Sequence, residues 1–259
     1  MNDLEVVVSR KPLVGDEMAP AIVLRPSAGG PFPALIGIHG QGGDKGRWVE
    51  MFRPLASQGI LVILIDIRGH GGRRVAGLDP RGTIAALDYF RLCLGTVEDL
   101  RSLLDRVAAR ADVRPGPIGI WGHSMGGYIA LAAAARDARL DPICAVGAWL
   151  PSMPLDAADY PESRPDPVEL AEITEALDPV ARVAALPDRR VLLLHGDQDD
   201  YAPVESVRHF RDALTAGYPD GPDAPMLLVY PGGHHPPSNI MSLARTWLAR
   251  AMGGGREGS

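Results

Sequence analysis

The stretch PIGIWGHSMGGYIALAAAA (residues 117–135) passes from a short aliphatic run, through a serine set between glycines, into an alanine-rich segment of helical character. Gly122, His123, Ser124, Met125 and Gly126 fill the pattern G-x-S-x-G between a strand and a helix. A bend this tight imposes strained backbone angles on the serine and leaves no space for side chains two residues to either side, so glycine is required at both positions. It lifts the Ser124 hydroxyl above the sheet edge at a helix N-terminus, where peptide dipoles favour developing negative charge. A plain N-cap serine among flexible glycines is the bland alternative. The succession of strand, elbow and helix favours the elbow.

Outward from this bend, short aliphatic runs recur: ALIGIH, ILVILID, PIGIWG, ICAVGAWL, RVLLLHG and PMLLVY. Runs that are apolar on both faces read as strands of a covered parallel sheet. Between them, RWVEMFRPLASQG, TVEDLRSLLDRVAARA, SMGGYIALAAAARDA and VESVRHFRDALTAG space their apolar residues as amphipathic helices do. Alternating β and α predicts a parallel α/β sheet. The preceding LEVVVS and PAIVLRPS read as an antiparallel pair at one edge. Residues 151–186, rich in proline and acids, break the alternation and predict a small cap with one helix from about Asp166 to Leu177. The chain 1–259 reads as one domain, and its end, 253–259, as a frayed tail.

A serine hydroxyl is a poor nucleophile without a base, so a histidine and an orienting acid are expected further along the chain. LLLHGDQDDYAP follows one strand and VYPGGHHPPS the last, which gives the order Ser, acid, His. Asp199 is favoured over Asp197 and Asp200, because the loop needs a few residues to turn a carboxylate inward before Pro203 opens the next helix. Spacing leaves His234 and His235 open as the base. The backbone N–H of Met125, next to the serine, and that of Gln41 in IGIHGQGGDKG are the candidate oxyanion donors. His39, His70 and His195 read as hydrogen-bonded scaffolds, and His123 and Tyr128 as packing behind the elbow. Trp48, Trp149, Met153 and Leu155 are candidates for an acyl pocket.

The chain resembles an α/β-hydrolase, and within that superfamily the small dienelactone hydrolase and prolyl-oligopeptidase-like esterases. FPALIGIHGQGGDKGRW is similar to that family's third strand and oxyanion loop, LIDIRGHGGR to its Asp-x-Arg-Gly-His-Gly segment, and WGHSMGGYIA to its nucleophile elbow. The resemblance implies a mostly parallel central sheet of about eight strands with helices on both faces. It implies a triad of Ser124, Asp199 and His235, since the pattern Tyr-Pro-Gly-x-x-His falls on Tyr230, Pro231, Gly232 and His235. A register with glycine directly before the histidine selects His234 instead. Dienelactone hydrolases carry cysteine, and haloalkane dehalogenases aspartate, where this chain has Ser124.

These readings together predict a serine carboxylesterase acting on a small-molecule ester. A peptidase, thioesterase or lactonase on the same triad is the nearest rival, and a non-catalytic binding protein on the same scaffold is the rival from another class. The stretch before the first parallel strand is short for the N-terminal domain that gates peptide access in the peptidase relatives. No cofactor and no metal are expected, because neither phosphate-loop glycine pattern occurs and the His and acid spacings match no zinc or calcium site. A net charge of −6 offers no basic field for nucleic acid or a membrane surface. Cys93 and Cys144 form no C-x-x-C pair, the N-terminus lacks an export signal, and the aliphatic run 60–65 is far short of the roughly 20 residues that span a bilayer. A cytoplasmic location is therefore expected, and no pattern bears on oligomeric state.

Overall fold

The computed structural model describes residues 6–9, 21–27, 29–150, 165–186, 188–217 and 224–253. The strands are β1 (Val6–Ser9), β2 (Ala21–Pro26), β3 (Ala34–Ile38), β4 (Leu61–Ile65), β5 (Ile118–His123), β6 (Leu140–Val146), β7 (Val191–Gly196) and β8 (Met226–Tyr230). They form one sheet in the order β1-β2-β4-β3-β5-β6-β7-β8. From β4 to β8 all neighbours run parallel, while β1 and β2 pair antiparallel at one edge and β2 joins β4 antiparallel. The edge pair and the parallel body agree with the sequence reading.

The helices are α1 (Val49–Ser57), α2 (Ala86–Ala108), α3 (Met125–Ala134), α4 (Pro167–Leu177), α5 (Val204–Thr215) and α6 (Ser238–Gly253). On one face, Phe52 and Leu55 of α1 and Ile240, Ala244 and Leu248 of α6 cover Leu35, Val62, Leu64 and Trp121. On the other, Phe90, Leu100 and Leu104 of α2, all of α3, Leu170 of α4 and Phe210 of α5 share a core with Ile36, Ile38, Ile63 and Ile120. Every residue of α3 is buried, which explains an alanine-rich sequence with no polar face: the helix lies against both sheet and neighbouring helices. Among the described residues no helix is long and apolar enough to cross a membrane.

Of two helices with clear sequence signals, α4 follows its signal and α2 departs from it. α4 starts on an Asp166 cap whose carboxylate accepts from the N–H groups of Val168 and Glu169, both 2.9 Å, with Pro167 in the first turn, as the sequence predicts. The rest of the expected cap, 151–164, lies outside the described residues, as do Met153, Leu155 and the tail from 254. α2 runs ten residues further toward the N-terminus than its amphipathic signal, straight through Gly95. That glycine is a seat rather than a breaker, because a Cβ there would collide with the Arg68 guanidinium. Arg68 forks onto Asp99 (2.8 and 2.6 Å) and Arg73 also binds Asp99, which ties the turn after β4 to α2. Burial opposes ionisation of Asp99, yet these two partners hold its carboxyl below the usual range.

The strand order reverses at β3 and β5, where loops leaving neighbouring strands diverge to opposite sides and open a crevice at their C-terminal ends. Here α3 begins so close to β3 that a methyl on Gly126 would overlap the carbonyl oxygens of His39 and Ile38. Backbone cannot yield as a side-chain tip can. Gly126→Ala is therefore expected to lower the unfolding free energy by about 3 kcal/mol, against less than about 0.5 kcal/mol for Gly217→Ala, whose added methyl would meet nothing within 4 Å. Urea titrations of the two variants beside the parent chain measure the difference.

Candidate functional site

Ser124 sits at the bend between β5 and α3 with φ 57° and ψ −121°, in the left-handed half of conformational space that a side chain rarely adopts. The bend closes because Gly122 has no Cβ, which would otherwise strike the carbonyl of Gly126. Both glycines of the motif thus serve backbone approach, as the sequence predicts. The bend is held from outside as well: the Ser124 N–H donates to Val146 O at 2.8 Å and its carbonyl accepts from Tyr128 N at 3.1 Å.

His234 Nε2 lies 2.8 Å from the Ser124 hydroxyl oxygen, and His234 Nδ1 lies 2.8 Å from Asp199 Oδ2. A carboxylate can only accept, so Nδ1 carries the proton and Nε2 is free to accept from the hydroxyl. An imidazole held in this way can take the serine proton while the carboxylate stabilises the resulting imidazolium. Asp199 is itself fixed, its Oδ1 accepting from Tyr201 N (3.0 Å) and Ala202 N (2.9 Å). His195 Nε2–H donates to Ala202 O at 2.6 Å and so braces the same turn from within the core. The nearby Tyr230 phenol is pushed up to about 12, by burial and by the charge on Asp199.

The structure brings His234, not His235, to the serine, which corrects the register implied by the family resemblance. The cause is a cross-strand tie. Asp197 Oδ1 accepts from Gly232 N (2.9 Å) and Gly232 O accepts from Gln198 N (2.9 Å), while Gly232 turns at φ 146°. The last loop is thereby pinned to the turn after β7, and the next side chain able to reach over the sheet is that of 234. Gly147 turns beside it at φ 56°, within ordinary contact of the His234 carbonyl and ring. His235 instead stacks on the His123 ring, with centroids 6.0 Å apart and planes 25° from parallel. Asp197 is a turn tie.

Gln41 and Met125 flank the serine from two sides. Met125 opens α3, so its N–H has no partner inside the helix. The loop carrying Gln41 reaches Ser124 closely: a Cβ on Gly40 would stand 3.0 Å from the serine Cβ. Among the described residues no acceptor is seen for either backbone N–H, while the Gln41 side chain donates to Gly82 O at 3.0 Å. Lys45 and Asp66 anchor that loop. Asp66, fully buried, forms an ion pair with Lys45 and accepts from the N–H groups of Lys45 and Gly72, each at 2.8 Å. His39 completes the anchor, with Nδ1–H donating to Gly40 O (2.7 Å) and Nε2 accepting from Ile67 N (3.2 Å).

A cavity of about 700 Å³ opens over the serine. Tyr89, Phe90, Trp149 and Ile84 form an apolar wall, His123, His234 and His235 another, and Arg47 and Arg81 stand on the side of the Gly40–Gly43 loop. Trp149 takes the lining position expected of it. Trp48 does not; it packs edge-on against Trp121 (5.0 Å) behind the site. The two arginines, Tyr89, Phe90 and Tyr201 carried no motif that singled them out in the sequence. His123 does more than pack behind the elbow, for its Nε2–H reaches the His234 carbonyl at 3.3 Å.

A family model described as serine aminopeptidase, S33, matches residues 29–155. YtaP of Bacillus subtilis (strain 168), provisionally assigned as a hydrolase, is 30% identical over 235 residues, 80% of this chain and 74% of its own length. The chain belongs to the α/β-hydrolase superfamily. A monoacylglycerol lipase of Mycolicibacterium smegmatis is 26% identical, with 79% of this chain and 81% of that one covered. The structure of TT1662 from Thermus thermophilus superposes with a TM-score of 0.80 at 22% identity, over 97% of this α/β-hydrolase and 100% of that chain, and shows the shared fold. The chain spans 56% of the length of the two uncharacterised Mycobacterium tuberculosis relatives it matches, at 26% identity over 69% of this chain.

Burial disfavours the protonated form of His39, His70 and His123. Burial, and secondarily the neighbouring His234, drive His123 down to about 3, and burial drives His39 down to about 4 and lowers His70. In the unfolded chain each takes up a proton near 6.5. The unfolded state therefore binds more protons below that value, so the stability these residues confer is complete above about 6.5 and is lost as pH falls toward 4. Urea unfolding is expected to show a loss of about 2–4 kcal/mol between pH 7 and 5, a window above the range in which carboxylates titrate. Level stability across that window would contradict neutral buried histidines.

Proposed function

We propose that the chain is a serine hydrolase that cleaves carboxylic esters through an acyl-enzyme intermediate. The observation that carries this reading is the continuous Ser124–His234–Asp199 path, 2.8 Å at each step, at a strained bend beneath an open cavity. Ser124 attacks the ester carbonyl as His234 takes its proton, and His234 then returns that proton to the departing alcohol. Water, activated by the same imidazole, releases the acid and restores the serine. Asp199 accepts from Nδ1–H and so orients the neutral imidazole with Nε2 as the acceptor. The backbone N–H groups of Gln41 and Met125 stabilise the tetrahedral oxyanion, a service worth roughly 3 kcal/mol per donor in comparable sites.

The charge of the cavity favours an ester over a peptide N-terminus. An aminopeptidase needs an acceptor for the substrate's α-ammonium group, and among the described lining residues there is no Asp or Glu, only the cations Arg47 and Arg81. The likeness to a monoacylglycerol lipase supports the same choice.

Hydrolysis of 4-nitrophenyl acetate, with labelling by a fluorophosphonate probe, tests the assignment. Ser124→Ala is expected to abolish labelling, and Ser124→Ala and His234→Ala each to lower kcat/KM by at least about 10³-fold. His235→Ala should stay within about tenfold of the parent chain. Equal turnover by the parent and Ser124→Ala would refute the reading, and a loss confined to His235→Ala would move the base to that residue.

A further inference from the structure

This inference rests on the esterase reading and concerns which esters the site takes. The protein carries 26 basic and 32 acidic side chains, a net charge of −6. Its catalytic cavity has the opposite sign. Arg47 and Arg81 line it, and no carboxylate does among the described residues. Several other arginines are engaged by carboxylates: Arg68 and Arg73 by Asp99, Arg91 by Asp88 and Glu169, Arg139 by Asp105 and Asp137, and Arg190 by Asp141. Neither cavity arginine has a carboxylate partner among the described residues.

Both are held at the cavity by what lies beneath them. The Arg47 guanidinium lies 5.8 Å from the Trp48 ring centroid, a cation–π contact that satisfies its face and leaves its N–H donors for another group. It lines the same cavity as Ser124, His123 and His234. Arg81 lies beside Gly42, its Cα and Cγ 3.5 and 3.6 Å from where a Cβ on that glycine would stand. The Gln41 side chain bonds the adjacent Gly82 carbonyl and joins the Arg81 loop to the loop beside the serine. A guanidinium offers a planar set of donors that fits a carboxylate through two parallel hydrogen bonds.

We propose that Arg47 and Arg81 are specificity-determining residues that select esters bearing a free carboxylate remote from the scissile bond, such as half-esters of dicarboxylic acids. The apolar wall of Ile84, Tyr89, Phe90 and Trp149 then accommodates the intervening carbon chain. The reaction itself is unchanged: water adds across the acyl–oxygen bond, and a half-ester yields a dicarboxylate and an alcohol. A cavity of this sign within an acidic protein concentrates anions locally and loses that advantage as salt rises.

Monoethyl and diethyl adipate form a matched pair with the same acyl chain and scissile bond but a different remote charge. The ratio of kcat/KM for the half-ester to that for the diester is expected to fall at least about tenfold in the Arg47→Gln/Arg81→Gln double variant, through KM, and to fall in the parent chain as sodium chloride is raised. Adipate should slow fluorophosphonate labelling of Ser124 in the parent chain and not in the double variant, whereas 1,6-hexanediol should not discriminate between them. Both arginines are exposed, so circular dichroism is expected to be unaltered. An unchanged ratio, or equal protection by adipate in both proteins, overturns the proposal while hydrolysis of the diester by the parent chain leaves the esterase reading standing. Absence of both labelling and ester hydrolysis in the parent chain sinks the esterase reading, and this proposal with it.

Discussion

Backbone meeting backbone at two glycines is the contact on which the site depends. Gly122 admits the carbonyl of Gly126, and Gly126 admits the carbonyls that end β3. Neither approach leaves room for a carbon atom. The resulting bend forces Ser124 into left-handed geometry, a conformation that costs of order 1–3 kcal/mol and persists only where surrounding structure outweighs it. Here the fully buried α3 and the hydrogen bonds to Val146 and Tyr128 do so. Local strain is carried by global packing, and its product is a hydroxyl raised clear of the sheet.

The loops around that hydroxyl are held by buried charge. Asp66 gathers Lys45, the N–H of Lys45 and the N–H of Gly72 at one carboxylate, so the loop after β3 and the turn after β4 have a common anchor. A buried carboxylate without partners would be costly, and the fixed donors around it make the arrangement self-consistent. Asp99 repeats the device one turn away with Arg68 and Arg73. The site is thus built on loops, yet each loop is tethered to the scaffold by more than one polar contact.

Much of this was legible in the residues because the relevant forces act over short stretches. Alternating aliphatic runs and amphipathic segments specify the layers, the glycine spacing specifies the elbow, and Asp166 before Pro167 specifies the start of α4. The position of Asp199 followed from loop length and from Pro203. The choice between two adjacent histidines did not, because it is made by Asp197 and Gln198 gripping Gly232 from a neighbouring strand, and no local pattern records a contact across 35 positions. The early start of α2 was hidden for a similar reason, since Gly95 weakens a helix on its own and is accommodated only where Arg68 lies across it. Trp48 was misplaced because an aromatic residue near a strand end serves a core or a pocket equally well until its neighbours are known.

The same grip on Gly232 also sets the register of the site. Asp199 and His234 are aligned by bonds between the turns that follow β7 and β8, adjacent strands of one sheet, rather than by the length of polypeptide joining them. Changes of length in the intervening connection that keep the buried Val207, Phe210 and Leu214 of α5 in place therefore leave the Asp199–His234 contact in register.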